Sequence, residues 1–348
     1  MRKRFAKLFV VIAALLLGSG LAGAALAQAA APLYGAHGVS PQAVRQGILG
    51  SCYFHASIAA LAKAAPNTLR NAISSNPGGG YQVRFFNGPA EVVYPDDVEY
   101  GRTHGYDRSE GAWVAVLMRA YAQRALRQGL TAAIQQSDSI PSFTKPMVLS
   151  LLDQYNLLLV AYDRAVRAVV SQDGSMDQVS LKQSLAVELQ NAGIPATVAQ
   201  SMVGFLDEKG FFLALAHSVQ QDGEVFGAYR GLGMGGIPVR VIEAFMGKAY
   251  AGLVADQAAT VNELRRLRSG GVAMVAGTWG AASSGDAFSK TDSWVPSHCY
   301  TLLSYDDAAQ TVTLRNPWGA HPDPDGVFTL PLPVFLAGFE SYSYSGSK

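Results

Sequence analysis

A chain of 348 residues, 49% hydrophobic and 15% charged, is long and apolar enough to bury one large core or two packed lobes. Its formal net charge of +1, with no basic run beyond the first residues, argues against a nucleic-acid partner. Two cysteines, Cys52 and Cys299, are too few for a disulfide framework or a cysteine-rich zinc site.

In chain order, Arg2, Lys3, Arg4 and Lys7 precede an apolar run from Leu8 to Leu17 and an Ala25-Leu26-Ala27 cleavage pattern, so residues 1–27 read as a signal peptide. The protein is then expected to be exported, periplasmic or secreted, and to meet a membrane only if that segment stays uncleaved. After an unpatterned lead-in, the glycine-punctuated stretch Arg45 to Gly50 runs into an alanine-rich helix predicted over Cys52 to Ala65 and closed by Pro66. With Ser51 as N-cap, Cys52 occupies the first turn, where unpaired N–H groups and the helix dipole lower a thiol pKa. On this alone a packed core cysteine remains the simpler reading.

Strands predicted at Tyr81 to Phe86 and Glu91 to Tyr94 flank an Asn87-Gly88 turn and make a hairpin. Ser109-Glu110 opens a helix from Gly111 to Arg127, whose Trp113, Val116, Leu117, Ala120 and Tyr121 form a core stripe. From Gly129 to about Phe226 the chain shows helical periods over Met147 to Val170, Ser180 to Ala192 and Pro195 to Lys209, with no chemistry-bearing cluster. Its one histidine, His217, reads as a core or surface residue. Tyr229 to Gly236 is glycine-rich but lacks the Lys-Ser/Thr ending of a P-loop, so close backbone packing is the better reading. A short basic helix, Val261 to Arg268, leads to strands at Val272 to Thr278, His298 to Tyr305, Thr311 to Arg315 and Val327 to Leu330, a mostly antiparallel sheet with a short Ser/Tyr tail.

That sheet supplies a base for Cys52. A turn centred near Asp307 sets His298 opposite Asn316, so an asparagine oxygen can accept from one imidazole nitrogen and leave the other for the thiol. Cys299 falls on the opposite sheet face by alternation and reads as a packed core residue. Gln46, across Gly47 and Gly50 from Cys52, is a candidate oxyanion donor, with a surface glutamine as the alternative.

These residues sit in blocks that resemble the calpain family of papain-fold cysteine proteases. Gln46 to Phe54 is similar to Q-G-x-L-G-D-C-W-F, and Tyr94-Pro95-Asp96-Asp97 to the strand and paired aspartates after it. Trp113 to Ala122 resembles W-x-x-L-L-E-K-A-Y-A, and Gly235-Gly236 through Gly247 a later G-G…T-G segment. Val295 to Tyr300, Leu314 to Gly319 and Asp325 to Phe328 are similar to the G-H-A-Y, R-N-P-W-G and D-G-x-F blocks, in family order. The resemblance implies an α+β, papain-like two-lobe fold: a cysteine-bearing lobe over 28–254 with a helical insertion at about 129–228, and a His/Asn-bearing antiparallel sheet or barrel lobe over 255–348. It implies a cysteine endopeptidase with Cys52 as nucleophile, His298 as base and then acid, Asn316 as orienter, Gln46 as oxyanion donor, Trp318 as a shield over the His-Asn pair, and a protein or peptide as substrate.

The departures are Ser51 for aspartate, Tyr53 for tryptophan, and His55 for an apolar residue, a histidine that packs the helix or tunes the site. No cofactor is expected. The family's calcium ligands are not retained, since their positions fall at Ala43, a displaced Glu110 and a shortened loop from Ala320 to Pro324. Oligomeric state is left open. Two other readings stay open: an exported binding protein on the same scaffold, and a transglutaminase-like acyl transferase.

Overall fold

The computed structural model describes residues 32–138, 140–154, 156–169, 177–212, 227–267, 271–280, 293–319 and 324–346. The expected signal segment, His217 and most of the shortened 320–324 loop lie outside them.

Helix α1, Cys52–Ala64, is buried along nearly its whole length, from Tyr53 to Ala62. Its alanines make it slender enough for neighbours to close in on every side, which is why it has no polar stripe. Pro66 ends α1 and also occupies the first turn of a second helix, α2 (Pro66–Ala72), where a missing N–H costs nothing. The expected hairpin is present in shortened form as β2 (Tyr81–Val83) and β3 (Glu91–Val93), with Tyr81 opposite Val93. A further strand, β1 (Ile73–Ser75), pairs with β2 to complete a three-stranded antiparallel sheet. Helix α3 covers Pro95–Thr103, and α4 covers Trp113–Gln136. Helix α4 starts after the predicted Gly111 because Ser109 does not cap it: its hydroxyl donates to Asp107 Oδ1 at 2.6 Å. It then runs through Gly129, so the change of texture there does not mark its end.

The expected helical region is built from α5 (Lys145–Gln154), α6 (Asn156–Val169), α7 (Gln178–Asn191) and α8 (Ala196–Glu208). The single period predicted over 147–170 is thus two helices. Leu158, Tyr162, Leu181, Leu185, Phe211 and Phe212 join the same hydrophobic cluster as Phe54, Leu61 and Trp113, so these helices extend the core around α1. Ion pairs tie α6 to α4 and α3: Arg119 to Asp163 at 2.7 Å, and Arg164 and Arg167 to Asp97 at 3.1 and 2.7 Å, while Arg167 to Asp163 at 3.1 Å lies within α6. Helix α9 (Ala228–Gly233) takes up the start of the glycine-rich segment, and α10 (Pro238–Met246) ends at Gly247 in the left-handed conformation that suits a helix C-terminus.

The remaining elements are β4 (Ala249–Leu253), α11 (Gln257–Arg266), β5 (Met274–Thr278), β6 (Cys299–Asp306), β7 (Thr311–Arg315), β8 (Val327–Pro331), α12 (Leu332–Gly338) and β9 (Phe339–Ser345). The six strands form one antiparallel sheet in the order β4-β9-β5-β6-β7-β8. Among the described residues it is open, with β4 and β8 at the edges, and not a closed barrel. The Ser/Tyr tail is a correction to the sequence reading: it is β9, an interior strand hydrogen-bonded to β4 and β5. Its Tyr342, Ser343 and Ser345 are buried, and serine leaves the period of two without the apolar signal that marks a strand. Strand β4, which precedes residue 255, also belongs to this sheet. Alternation splits the interior strands between two cores: Ala273 and Val275 face the α1 cluster, while Met274, Ala276, Tyr300 and Leu302 face a second cluster with Leu264, Phe335 and Phe339.

The β6–β7 register also differs from the expectation. Thr301 lies opposite Arg315 and Leu302 opposite Leu314, and the register shifts again between Leu302 and Ser304. The turn sits further along than Asp307, and the bulge absorbs one residue. The displacement beside the bulge is even, so His298 and Asn316 keep a common face although they are not directly opposite.

Candidate active site

The loop before α1 is held by backbone contacts that only glycine permits. Gly47 N donates to Tyr106 O at 3.2 Å and Ile48 N to Gly105 O at 2.9 Å, and a Cβ on Gly47 would overlap the Gly105 carbonyl. A Cβ on Gly50 would stand 2.5 Å from Gly233 O, and one on Gly236 would stand 2.5 Å from the Tyr53 ring. The glycines of 229–236 therefore serve close packing around the start of α1.

Ser51 occupies the N-cap position, but it makes no side-chain cap bond. Its hydroxyl instead lies 3.1 Å from His55 Nδ1, and His55 Nε2 lies 3.3 Å from Asp107 Oδ1. His55 is fully buried, so it packs behind α1 and does not open onto the cleft. The first turn of α1, with Cys52 at its start, keeps the positive end of its dipole free of a side-chain oxygen.

His298 stands one residue before β6, after Ser297, whose φ of 50° is left-handed. Thr278 fixes its backbone: His298 N donates to Thr278 Oγ1 at 2.9 Å, and Thr278 N donates to His298 O at 2.9 Å. Asn316 follows the last residue of β7 and reaches back along the sheet. Its Oδ1 accepts from the Trp318 backbone N–H at 3.0 Å, a group that can only donate, so the amide orientation is determined. The same oxygen is 3.1 Å from His298 Nε2, which therefore carries a hydrogen. His298 Nδ1 is left as the nitrogen for the thiol. The Trp318 ring lies 4.7 Å from the imidazole and is 39% exposed, so it stands between His298 and solvent, while Tyr300 meets the imidazole edge-on at 4.9 Å.

The Cys52 thiol is pulled down to about 4. A hydrogen bond from the Cys299 thiol is the largest cause, and the hydrogen bond and charge of His298 add to it, while burial opposes both. Cys299, conversely, is held well above an ordinary thiol by its bond to Cys52, by burial and by the Cys52 charge. Cys299 does face away from His298, as alternation predicts, but that face is turned to α1. Its reading as a packed core cysteine is therefore incomplete, because it lines the same cleft as Cys52 and helps to lower that thiol's pKa.

Gln46 is buried in the same place. Its Nε2 donates to Leu49 O at 2.7 Å, which occupies one of the two amide hydrogens, and its Oε1 has no partner. Gln46, Cys52, His298, Cys299 and Trp318 all line one cleft of about 780 Å3, whose floor includes Gly235 and Gly236. A hollow of about 630 Å3 adjoins it through Tyr53, Gly235 and Gly236 and is walled by Tyr121, Arg124, Arg240 and Glu243.

Three supporting positions were not singled out from the sequence. Thr278 carries no signal beyond strand alternation. Gly326 lies within a quoted D-G-x-F block: Asn316 N donates to its carbonyl at 2.8 Å, and a Cβ there would press on Asn316 O at 2.8 Å. Asp107, which holds His55, lies in a segment without periodic pattern. Ala43 is buried, and Glu110 is taken up by His37 Nδ1 at 2.8 Å. Among the described residues no three His, Cys, Asp or Glu side chains converge as a metal site, and no helix is long and apolar enough to cross a membrane.

The model of the calpain family cysteine proteases matches residues 25–183, a span that includes Gln46 and Cys52 and ends before His298 and Asn316. The match bears out the family resemblance read from the motif blocks and implies a cysteine-type peptidase. No curated protein matches the chain. Solved structures that match include PepW from Lactobacillus rhamnosis, at 10% identity over 91% of this chain and 81% of that one, with a TM-score of 0.30.

Proposed function

We propose that this chain, of calpain-family type over residues 25–183, is an exported cysteine endopeptidase that cleaves proteins or peptides through a thiol acyl-enzyme. We read the two hydrophobic clusters as the two lobes of a papain-like fold, with the cleft between α1 and the start of β6. The observation that carries the reading is Cys52 at the start of α1 sharing one cleft with a histidine whose Nε2 is held by Asn316 Oδ1 at 3.1 Å.

In this reading the Cys52 thiolate attacks the scissile carbonyl. The carbonyl oxygen gains charge next to the first turn of α1, and the second amide hydrogen of Gln46 and a backbone N–H hold it there. His298 gives its proton to the leaving amine, then takes one from the water that releases the acyl group. Asn316 is a positioning residue: it fixes the imidazole plane, and Trp318 keeps water from its hydrogen bond. No cofactor takes part, and calcium is not required for this chemistry.

Incubation of the purified protein with an unfolded protein substrate tests the proposal. Cleavage is expected from the wild type with or without a calcium chelator, to vanish in Cys52→Ala, and to fall by about 10²–10⁴ in His298→Ala. Undiminished cleavage by Cys52→Ala would refute it.

A further inference from the structure

Cys299 takes no covalent part in the peptide chemistry proposed above, yet it is the second thiol of the cleft. Helix α1 begins at Cys52 and strand β6 begins at Cys299. The two elements are pinned further along, where Thr301 Oγ1 donates to Ala56 O at 2.8 Å. Side chains two apart on a strand share a face, so Cys299 lies on the same α1-facing side as Thr301. Both cysteines are free, partly exposed and open to the same cleft, each at the first residue of its element.

We propose that Cys52 and Cys299 form a reversible intramolecular disulfide when the protein meets hydrogen peroxide, with Cys299 as the resolving thiol that rescues oxidised Cys52. In the first step the Cys52 thiolate attacks one peroxide oxygen; the O–O bond breaks, hydroxide leaves and is protonated to water, and Cys52 becomes a sulfenic acid. In the second, the Cys299 sulfur attacks the Cys52 sulfur; the S–O bond breaks, and the hydroxide departs with the Cys299 proton as a second water. Two thiols lose two electrons in all, and one hydrogen peroxide is reduced to two waters. Oxidation of Cys52 also removes the negative charge that holds the Cys299 proton in place, so the resolving thiol becomes easier to ionise at the moment it is needed. A dithiol returns both cysteines to the reduced state. The consequence for hydrolysis rests on Cys52 being the nucleophile; the disulfide itself does not.

The test treats the reduced wild-type protein with hydrogen peroxide, blocks remaining thiols under denaturing conditions, and reads intact mass and non-reducing peptide maps. The expected result is the loss of two hydrogens, disappearance of both thiols together, a cross-linked peptide joining Cys52 to Cys299, and recovery of both thiols with dithiothreitol. In Cys299→Ser and Cys299→Ala the same treatment is expected to add two or three oxygens to Cys52, which dithiothreitol does not remove. Wild-type Cys52 that gathers oxygens while Cys299 stays free, or a disulfide found only between chains, would overturn the proposal. Parallel assays separate the two readings. A disulfide in a protein that never cleaves peptide bonds leaves the thiol pair standing and removes the peptidase, whereas cleavage without any disulfide removes the thiol pair alone.

Discussion

Cys52 is acidic for reasons that single substitutions separate. Its thiolate persists as long as the pH stays above its lowered pKa of about 4, and is lost as the pH falls through that value. Alkylation by iodoacetamide should therefore proceed at a steady rate from neutral pH to about pH 5, where an ordinary thiol with a pKa of about 8.5 is nearly inert. Cys299→Ala and His298→Ala each remove a stabiliser of the thiolate, and each should move the fall in rate to higher pH. A profile unchanged by Cys299→Ala would contradict the thiol contact. Asn316→Ala leaves Cys52 and His298 in place but frees the imidazole, and kcat/KM is expected to fall by about 10²-fold with little change in melting temperature. Much at this scale was legible in the sequence: the cysteine at the start of a helix, although Ser51 does not cap it, the shared face of His298 and Asn316, and the preceding Gln46. Strand alternation placed Cys299 on the right face of β6. That α1 covers that face is a tertiary fact with no local signal.

At the scale of elements, the long periodic helices were legible and the sheet was only partly so. Strand β9 hid behind buried serines, β1 (Ile-Ser-Ser) holds a single apolar residue, and β4 (Ala-Tyr-Ala-Gly-Leu) lacks β-branched residues and carries a glycine, so neither showed a strand pattern. The β6–β7 register is displaced because the turn sits further along than Asp307, and a bulge between Leu302 and Ser304, which has no sequence signature, takes one residue of that displacement back. Asn316 is held by its neighbours beyond β7: Gly326, at a left-handed φ of 68°, touches Asn316 from below. Gly326→Ala should lower activity by tilting the asparagine, with the alkylation profile of Cys52 retained. The helical region is docked by a buried network in which Asp97 and Asp163 face Arg119, Arg164 and Arg167. Asp163→Ala leaves Arg119 buried without its 2.7 Å partner, and a loss of about 3–5 kcal/mol is expected in chemical denaturation. Burial pushes the Asp97 carboxyl up, but the three arginines outweigh it and hold the group below the usual carboxylate range. Its contribution is thus present above the unfolded value and lost as pH falls through the folded one. Melting temperature should decline below about pH 4, and less steeply in Asp97→Asn, which has no proton to gain.

At the scale of the whole molecule, two hydrophobic clusters share the six-stranded sheet as their boundary, and the cleft opens where α1 and β6 both begin. That arrangement explains why residues from opposite ends of the sequence meet: Cys52 is delivered by a glycine loop, His298 by the strand that packs on its helix, and Asn316 by the next strand. The helices of 145–208 enlarge the α1 core, with side chains in the same cluster as Phe54 and Trp113. The quoted motif blocks pass over them, whereas the family match runs through α5 and α6 to residue 183. Every step of the proposed hydrolysis depends on the Cys52 thiolate as nucleophile. Treatment with a thiol-directed epoxide, followed by peptide mapping and assay on an unfolded protein substrate, tests this most directly. One adduct, on Cys52, with cleavage lost in proportion to labelling, is the predicted result; full labelling of Cys52 with cleavage intact would contradict it.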